Sequence, residues 1–181
     1  MFLERWGATD DEVEGPLAGD DLVPGARMIA TRSIDVAAPP ADVFPWLVQM
    51  GFGRAGWYSY DWIDNLGRRS AERIHPEWQD LAEGDPVPAG PTSFLAAVVD
   101  EPEAFAIVTP PSERIGFSLA FECRPADGDQ RTRLVSRARA RIDVPGGTLV
   151  ERFLLGPGDG LMVRKQLLTL AERAAHSASR E

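Results

Sequence analysis

The period of the apolar residues changes several times along the chain, and each change marks an element. Residues 27–37 alternate, with Ile34 and Val36 on one face, which predicts a first β-strand. Pro39-Pro40-Ala41-Asp42 then opens a helix, since a proline in the first turn gives up only an N–H that had no helical partner. Val43, Phe44, Leu47 and Val48 form its apolar face, Gly51 stops it, and Pro45 predicts a tight or kinked start. A second helix is predicted over Tyr60 to Leu66, with Ser59 as N-cap, Asp61 in the first turn and Gly67 as the stop. Residues 68–93 are rich in proline and glycine and read as loop, with a short strand around Pro86–Pro88.

From Phe94 the period is two. Phe94–Asp100, Ala104–Thr109, Arg114–Cys123 and Arg131–Val144 read as four strands, broken at Glu101-Pro102-Glu103, at Pro110-Pro111 and at a hairpin turn on Asp127-Gly128. Consecutive strands with such short breaks make an antiparallel meander. After Gly146-Gly147 the period returns to that of a helix. Leu149, Val150, Phe153 and Leu154 share a face, Gly156-Pro157-Gly158 breaks or kinks the run, and a long helix follows from about Gly160 to Ala175 behind Asp159 as cap. Its expected apolar face is Leu161, Leu167, Leu168, Ala171, Ala174 and Ala175. The fold class is α+β.

Residues 1–27 stand apart. They hold seven acids (Glu4, Asp10, Asp11, Glu12, Glu14, Asp20, Asp21) against Arg5 and Arg27. Thr9-Asp10-Asp11-Glu12 is a capping box for a short helix ended by Gly15-Pro16, and Phe2, Leu3 and Trp6 are apolar enough to pin the segment down. We read 1–27 as an acidic, partly ordered arm, 28–176 as the folded domain and 177–181 as a tail.

Composition narrows the function. The formal net charge of −9 disfavours nucleic acid and anionic membranes as partners. A single cysteine, Cys123, excludes an internal disulfide and multi-cysteine zinc sites. No apolar run approaches the ~20 residues of a membrane span, and no basic stretch followed by an apolar one opens the chain. A soluble cytoplasmic protein is expected.

The stretch from Ala37 to Gly51, with Pro39-Pro40-Ala41-Asp42-Val43-Phe44-Pro45-Trp46-Leu47-Val48-Gln49-Met50, resembles a bacterial subfamily of the START-like, or SRPBCC, superfamily. So do Gly56-Trp57-Tyr58-Ser59-Tyr60-Asp61-Trp62 and the acidic arm. The resemblance covers about 27–176. It implies a helix-grip fold: a curved antiparallel sheet wrapped around a long C-terminal helix, with two short helices after the first strand. It carries over no catalytic residue, because one scaffold hosts carriers, cyclases, co-chaperones and sensors. Strand 131–144 would span about 46 Å if straight, so it must bend. A bent sheet over a straight helix leaves a cavity between them.

Several motifs carry candidate chemistry. Gly51-Phe52-Gly53-Arg54-Ala55-Gly56 matches GxGxxG, but a helix precedes it and no βαβ unit follows, so a tight connection near the cavity mouth is expected rather than a nucleotide site. Trp57, Tyr58, Tyr60 and Trp62 crowd together around Asp61 and are candidates to line the cavity, as are Trp78, Phe94, Phe117, Phe121, Leu134 and Met162. His75-Pro76-Glu77 contains the H-x-E of zinc deaminases without the P-C-x-x-C that must accompany it. His75 remains a candidate for orienting a ligand or for acid–base work. Arg131, Arg133, Arg137, Arg139 and Arg141 alternate along the last strand, which predicts a solvated outer face paired with Glu122 or the arm. The alternative is one arginine reaching a ligand carboxylate. The opposite row, with Ser136, Ala138 and Ala140, is small enough for a cavity wall. No G-x-S-x-G elbow is present, and Cys123 in a strand reads as a core residue.

The expected function is binding of a small, largely apolar molecule, such as a lipid, polyketide or aromatic metabolite, between sheet and helix, with no metal or cofactor. One alternative is a polyketide cyclase or dehydratase using Asp61, Tyr58, Tyr60 or His75 as the acid–base group. The other is a protein-interaction module.

Overall fold

The computed structural model describes residues 4–150 and 156–179, without the side chains of 149–150 and 156–159. Strands β1 (Met28–Val36), β2 (Pro86–Pro88), β3 (Ser93–Asp100), β4 (Ala104–Val108), β5 (Ile115–Ala126) and β6 (Arg131–Ile142) form one curved antiparallel sheet in the order β1-β6-β5-β4-β3-β2. The meander from β2 to β6 is joined by β1, whose register pairs Met28 with Ala140 and Val36 with Thr132. Asp127, Gly128 and Asp129 all have left-handed φ and turn β5 into β6. Both prolines of β2 sit on the sheet edge, where a missing N–H breaks no ladder. A bulge between Ala96 and Val98 sharpens the bend of β3.

The helices are α1 (Asp10–Glu14), α2 (Pro40–Val48), α3 (Asp61–Asp64), α4 (Gly147–Val150) and α5 (Gly156–Ala178). Helix α5 lies across the inner face of the sheet and buries Val163, Leu167, Leu170 and Ala174, a stripe one residue in width with i, i+4, i+7 spacing. Phe105, Phe121, Leu134 and Ala138 from the sheet, with Val43, Phe44 and Leu47 from α2, complete the main core. Each such large apolar side chain contributes about 1.5–3 kcal/mol on burial.

Several expectations change. Gly156-Pro157-Gly158 lies in the first turn of α5, where proline is at home, and residues 151–155 ahead of it lie outside the described residues. Leu161 and Leu168 face outward, so the buried stripe is rotated from the expected one. Leu149 and Val150 fall in α4, while Phe153 and Leu154, like Phe2 and Leu3, lie outside the described residues. Helix α2 runs unbroken through Pro45; the carbonyl that loses its partner belongs to exposed Ala41, where water can take its place. Helix α3 is one turn, ended by left-handed Leu66 and Gly67, and Ser59 does not cap it.

The arm differs most from expectation. The capping box forms, with the Thr9 N–H donating to Glu12 Oε2 at 2.8 Å and the Glu12 N–H to Thr9 Oγ1 at 3.2 Å. Far from trailing off, the segment lies on the outer face of the sheet. Leu17 joins Ala106, Ala120 and Val135 in a second, smaller core flanked by Leu22 and Val98. Arg133, Arg137, Arg139 and Arg141 are paired with this segment, while Arg131 pairs with Asp127 of the turn, and the row is not solvated throughout. Arg137 is only 4% exposed; it donates to Asp20 Oδ2 at 2.6 Å, to the Glu12 carbonyl at 2.7 Å and to Thr31 Oγ1 at 2.9 Å. Arg133 donates to both oxygens of Glu12, at 2.7 and 3.0 Å. No arginine of the row reaches the inner face, which answers the ligand-carboxylate alternative.

Burial alone would raise the Glu12 carboxyl, but Arg133, the Thr9 N–H and the Ser33 hydroxyl outweigh it and hold its pKa at about 2. A depressed carboxyl stabilises the fold above its unfolded value and ceases to do so as pH falls through the folded value. Wild-type stability should therefore decline from about pH 4.5 towards 2 in part through Glu12. Glu12→Gln should cost about 2 kcal/mol at neutral pH and flatten that part of the acid profile, as urea melts across the range will show.

Candidate functional site

Packing of α5 on the sheet is solid at one end and open at the other. The open end is a cavity of about 620 Å³. Phe94, Ile107, Phe117 and Leu119 of β3, β4 and β5 form its floor, and Met162, Val163 and Gln166 of α5 form its roof. Its mouth lies among Phe52, Trp57, Ile63, Leu66 and the turn Ala89-Gly90-Pro91. Phe94 is the hinge of an aromatic wall: its ring is 5.9 Å from that of Trp57 on one side and 5.9 Å from that of Phe117 on the other.

The loop after α2 sets the shape of the mouth. Gly51 and Gly56 bridge each other as a tight antiparallel turn, as the structural reading of the GxGxxG stretch expects. Gly56 has φ +77°, and a Cβ there would fall 2.5 Å from Ser70 Oγ, so only glycine fits. The Phe52 N–H donates to the Pro88 carbonyl at 2.7 Å, and Arg54 donates to the Trp78 carbonyl at 2.9 Å, which ties the loop to both neighbouring segments. Ser70 then links two parts of the rim. Its hydroxyl accepts from the Tyr58 N–H at 3.1 Å and donates to Asp61 Oδ1 at 2.6 Å, fixing the start of α3.

That anchoring places Asp64, one turn later on α3, in the cavity wall. Both of its carboxylate oxygens are buried, and neither meets a donor from another residue. Desolvation, with the nearby charge of Asp61 in second place, pushes its pKa up to about 6. The other polar wall residues are tied back. Ser59 donates to the Met162 carbonyl at 3.1 Å, and Gln166 Nε2 donates to the Trp57 carbonyl at 2.8 Å.

Of the candidates drawn from sequence, Trp57, Phe94, Phe117 and Met162 line the cavity. Phe121 and Leu134 are inner-face residues but are fully buried in the solid half of the core. Tyr58 is buried against Trp46 and accepts a hydrogen bond from Gln49 at 2.6 Å; burial raises its phenol above the usual range. Tyr60 and Trp62 turn outward, Trp62 with 74% of its surface exposed. His75 stacks on Trp78 at 4.4 Å and pairs with Glu77 at 3.2 Å, away from the cavity wall. Asp61 is consumed by Ser70. None of the four proposed acid–base groups therefore lines the cavity. The carboxylate that does is Asp64, which sequence reasoning passed over. The available signal was its i, i+3 relation to Asp61, which puts the second acid on an adjoining face of a one-turn helix. Cys123 is a buried core thiol, its pKa pushed up to about 12 by burial.

In backbone the chain is similar to a protein from Nitrosospira multiformis, with TM-score 0.52, 16% identity and coverage of 85% of this chain and 100% of that one. It is similar also to StfQ, a di-domain ARO/CYC from the steffimycin biosynthetic pathway, with TM-score 0.52, 12% identity and coverage of 83% of this chain and 51% of that one. A START superfamily protein from Mycobacterium smegmatis aligns with TM-score 0.43, 12% identity and coverage of 84% and 97%. No family model and no curated protein matches the chain in sequence. Likeness at such identities concerns the fold alone, an α+β helix-grip in which a curved antiparallel sheet wraps the C-terminal helix. Among the described residues, no helix is long and apolar enough to cross a membrane.

An acid held above its unfolded pKa destabilises the fold once it ionises. Stability should therefore fall as pH rises from about 3.8 to about 6 through Asp64. Asp64→Asn should remove that loss and be more stable than wild type at pH 7 but not at pH 3.5. Chemical denaturation at the two pH values checks the sign.

Proposed function

We propose that the protein binds a small, largely apolar molecule in the cavity between α5 and the sheet. The observation that carries this reading is the cavity itself: about 620 Å³, walled by four aromatic rings (Phe52, Trp57, Phe94, Phe117) and by aliphatic side chains, with few polar groups. That size and lining suit a drug-sized organic guest. Burial of the guest's apolar surface supplies the affinity, and the polar wall groups supply orientation. The START-like fold supports the reading at the level of architecture.

A second reading, catalysis, is favoured by Asp64. A cyclase- or dehydratase-type reaction needs one group that takes a proton from carbon and returns it to oxygen, with a pKa near the working pH. Asp64, unpartnered, desolvated and shifted to about 6, has those properties. In that reading Asp64→Asn abolishes turnover and leaves binding of a neutral guest intact.

Filling the cavity tests the first reading. Met162→Trp projects an indole from the roof into the space. It should weaken binding of an uncharged apolar dye such as Nile red by more than about tenfold, a loss of over 1.4 kcal/mol, while leaving the circular dichroism spectrum unchanged. Native mass spectrometry of the freshly purified wild type should show an adduct of small-molecule mass that the variant lacks. Unchanged dye affinity in the variant would remove the basis of the reading.

A further inference from the structure

Outside the cavity mouth, water meets a concentrated set of apolar side chains. Tyr60, Trp62, Ile63 and Leu66 belong to α3, its cap and its exit, and they are 36%, 74%, 47% and 77% exposed. A single exposed apolar residue is ordinary, but four on one short turn mark a contact surface. Leu66 also holds a left-handed backbone, with φ +50°, where glycine is the usual choice and a Cβ carries a steric cost. Ile63 and Leu66 border the cavity with Phe52, so the patch continues the apolar lining outward.

Charge on this turn is sorted. Its two acids are tied up or buried: Asp61 accepts from the Ser70 hydroxyl at 2.6 Å and from the Ser70 N–H at 3.1 Å, and both carboxylate oxygens of Asp64 are buried. The next acid along the chain, Glu72, pairs with Arg173 at 3.3 Å. Arg68 and Arg69, which follow the turn, are both exposed, and among the described residues neither guanidinium has a hydrogen bond or an ion pair. The solvent-facing side of the turn is therefore apolar and cationic.

We propose that this turn docks the protein on a lipid surface bearing anionic headgroups, with Trp62 and Leu66 entering the interface and Arg68 and Arg69 meeting lipid phosphates. The proposal goes beyond the cavity reading and does not depend on it. Tryptophan and tyrosine beside aliphatic residues, flanked by arginine, is the composition that settles at the boundary between headgroups and acyl chains. A second protein fits less well, because four side chains of this exposure fall well short of the ~800 Å² that each partner of a standard complex buries. The summed charge of −9 disfavours anionic surfaces at a distance. At physiological ionic strength, however, charges beyond about 8 Å are largely screened. At contact the free charges that the turn presents are Arg68 and Arg69, so the expectation drawn from composition does not extend to this face.

Co-sedimentation with sucrose-loaded vesicles at physiological ionic strength tests the proposal. Wild type should sediment with equimolar phosphatidylcholine and phosphatidylglycerol, and more weakly with phosphatidylcholine alone. Trp62→Ala should weaken binding to the mixed vesicles by about tenfold or more. Arg68→Gln with Arg69→Gln should weaken it by about tenfold or more on mixed vesicles and leave binding to phosphatidylcholine alone unchanged. All three positions are exposed, so both variants should keep the wild-type circular dichroism spectrum and, without vesicles, the wild-type affinity for Nile red. Wild type that stays in the supernatant with mixed vesicles, or Trp62→Ala that sediments as well as wild type, overturns the proposal. Equal affinity for the two vesicle compositions overturns the anionic assignment. A wild-type dimer on gel filtration that Trp62→Ala converts to monomer, with no vesicle binding, makes the patch a contact between copies and overturns it too. None of these results touches the cavity reading, which falls only with the binding of Nile red.

Discussion

Helix α5 meets the sheet fully at only one end, and the rest of the molecule is arranged around that incomplete contact. Leu167, Leu170 and Ala174 seat the helix on Phe105, Phe121, Leu134 and Ala138, with α2 closing the side. Earlier along the helix the roof is Met162, Val163 and Gln166, and the sheet below has curved away. Close packing is the rule in protein interiors. A space of about 620 Å³ at a fixed place in an otherwise filled core is thus a feature that the surrounding elements maintain.

Maintenance comes from both sides. On the outer face, the acidic arm clamps β1 and β6 together through Glu12 with Arg133 and through Asp20 with Arg137, and it covers Ala106, Ala120 and Val135 with Leu17. Removing one member of such a buried pair leaves an uncompensated charge, which costs far more than the net worth of the pair. On the inner side, the loop from Gly51 to Ser59 is held by a backbone bond to Pro88 and by the Tyr58–Ser70–Asp61 chain. That chain holds α3, and α3 holds Asp64. The one acid among the described cavity residues is therefore positioned by a polar network whose other members do not line the cavity.

Much of this was legible in the chain. Alternation from Phe94 to Ile142 specifies the meander, because a period of two cannot be satisfied by a helix. The Ala37–Gly51 stretch identifies the fold that the structure adopts. The arginine row on β6 points to pairing with the arm, but its burial was not visible, because the row lies on a face that only becomes interior once the arm folds back more than a hundred residues away. The phase of α5 was misread by including Leu161 and Leu168, two exposed leucines whose type says apolar but whose position says surface. Aromatic residues near Asp61 marked the right region. Which of them face inward depends on the left-handed backbone at Tyr58 and on a one-turn helix, and neither leaves a periodic trace. Asp64 was missed for the same reason.

Nuclear magnetic resonance mapping of an uncharged aromatic amphiphile on the labelled protein tests the cavity most directly. Perturbation should centre on the Trp57 indole N–H, the Gln166 side-chain amide and the methyl groups of Ile107, Leu119 and Met162, with Leu17 and Val135 on the outer face silent. Perturbation confined to exposed Trp62 and Ile29, or to the arm, would contradict a guest between helix and sheet.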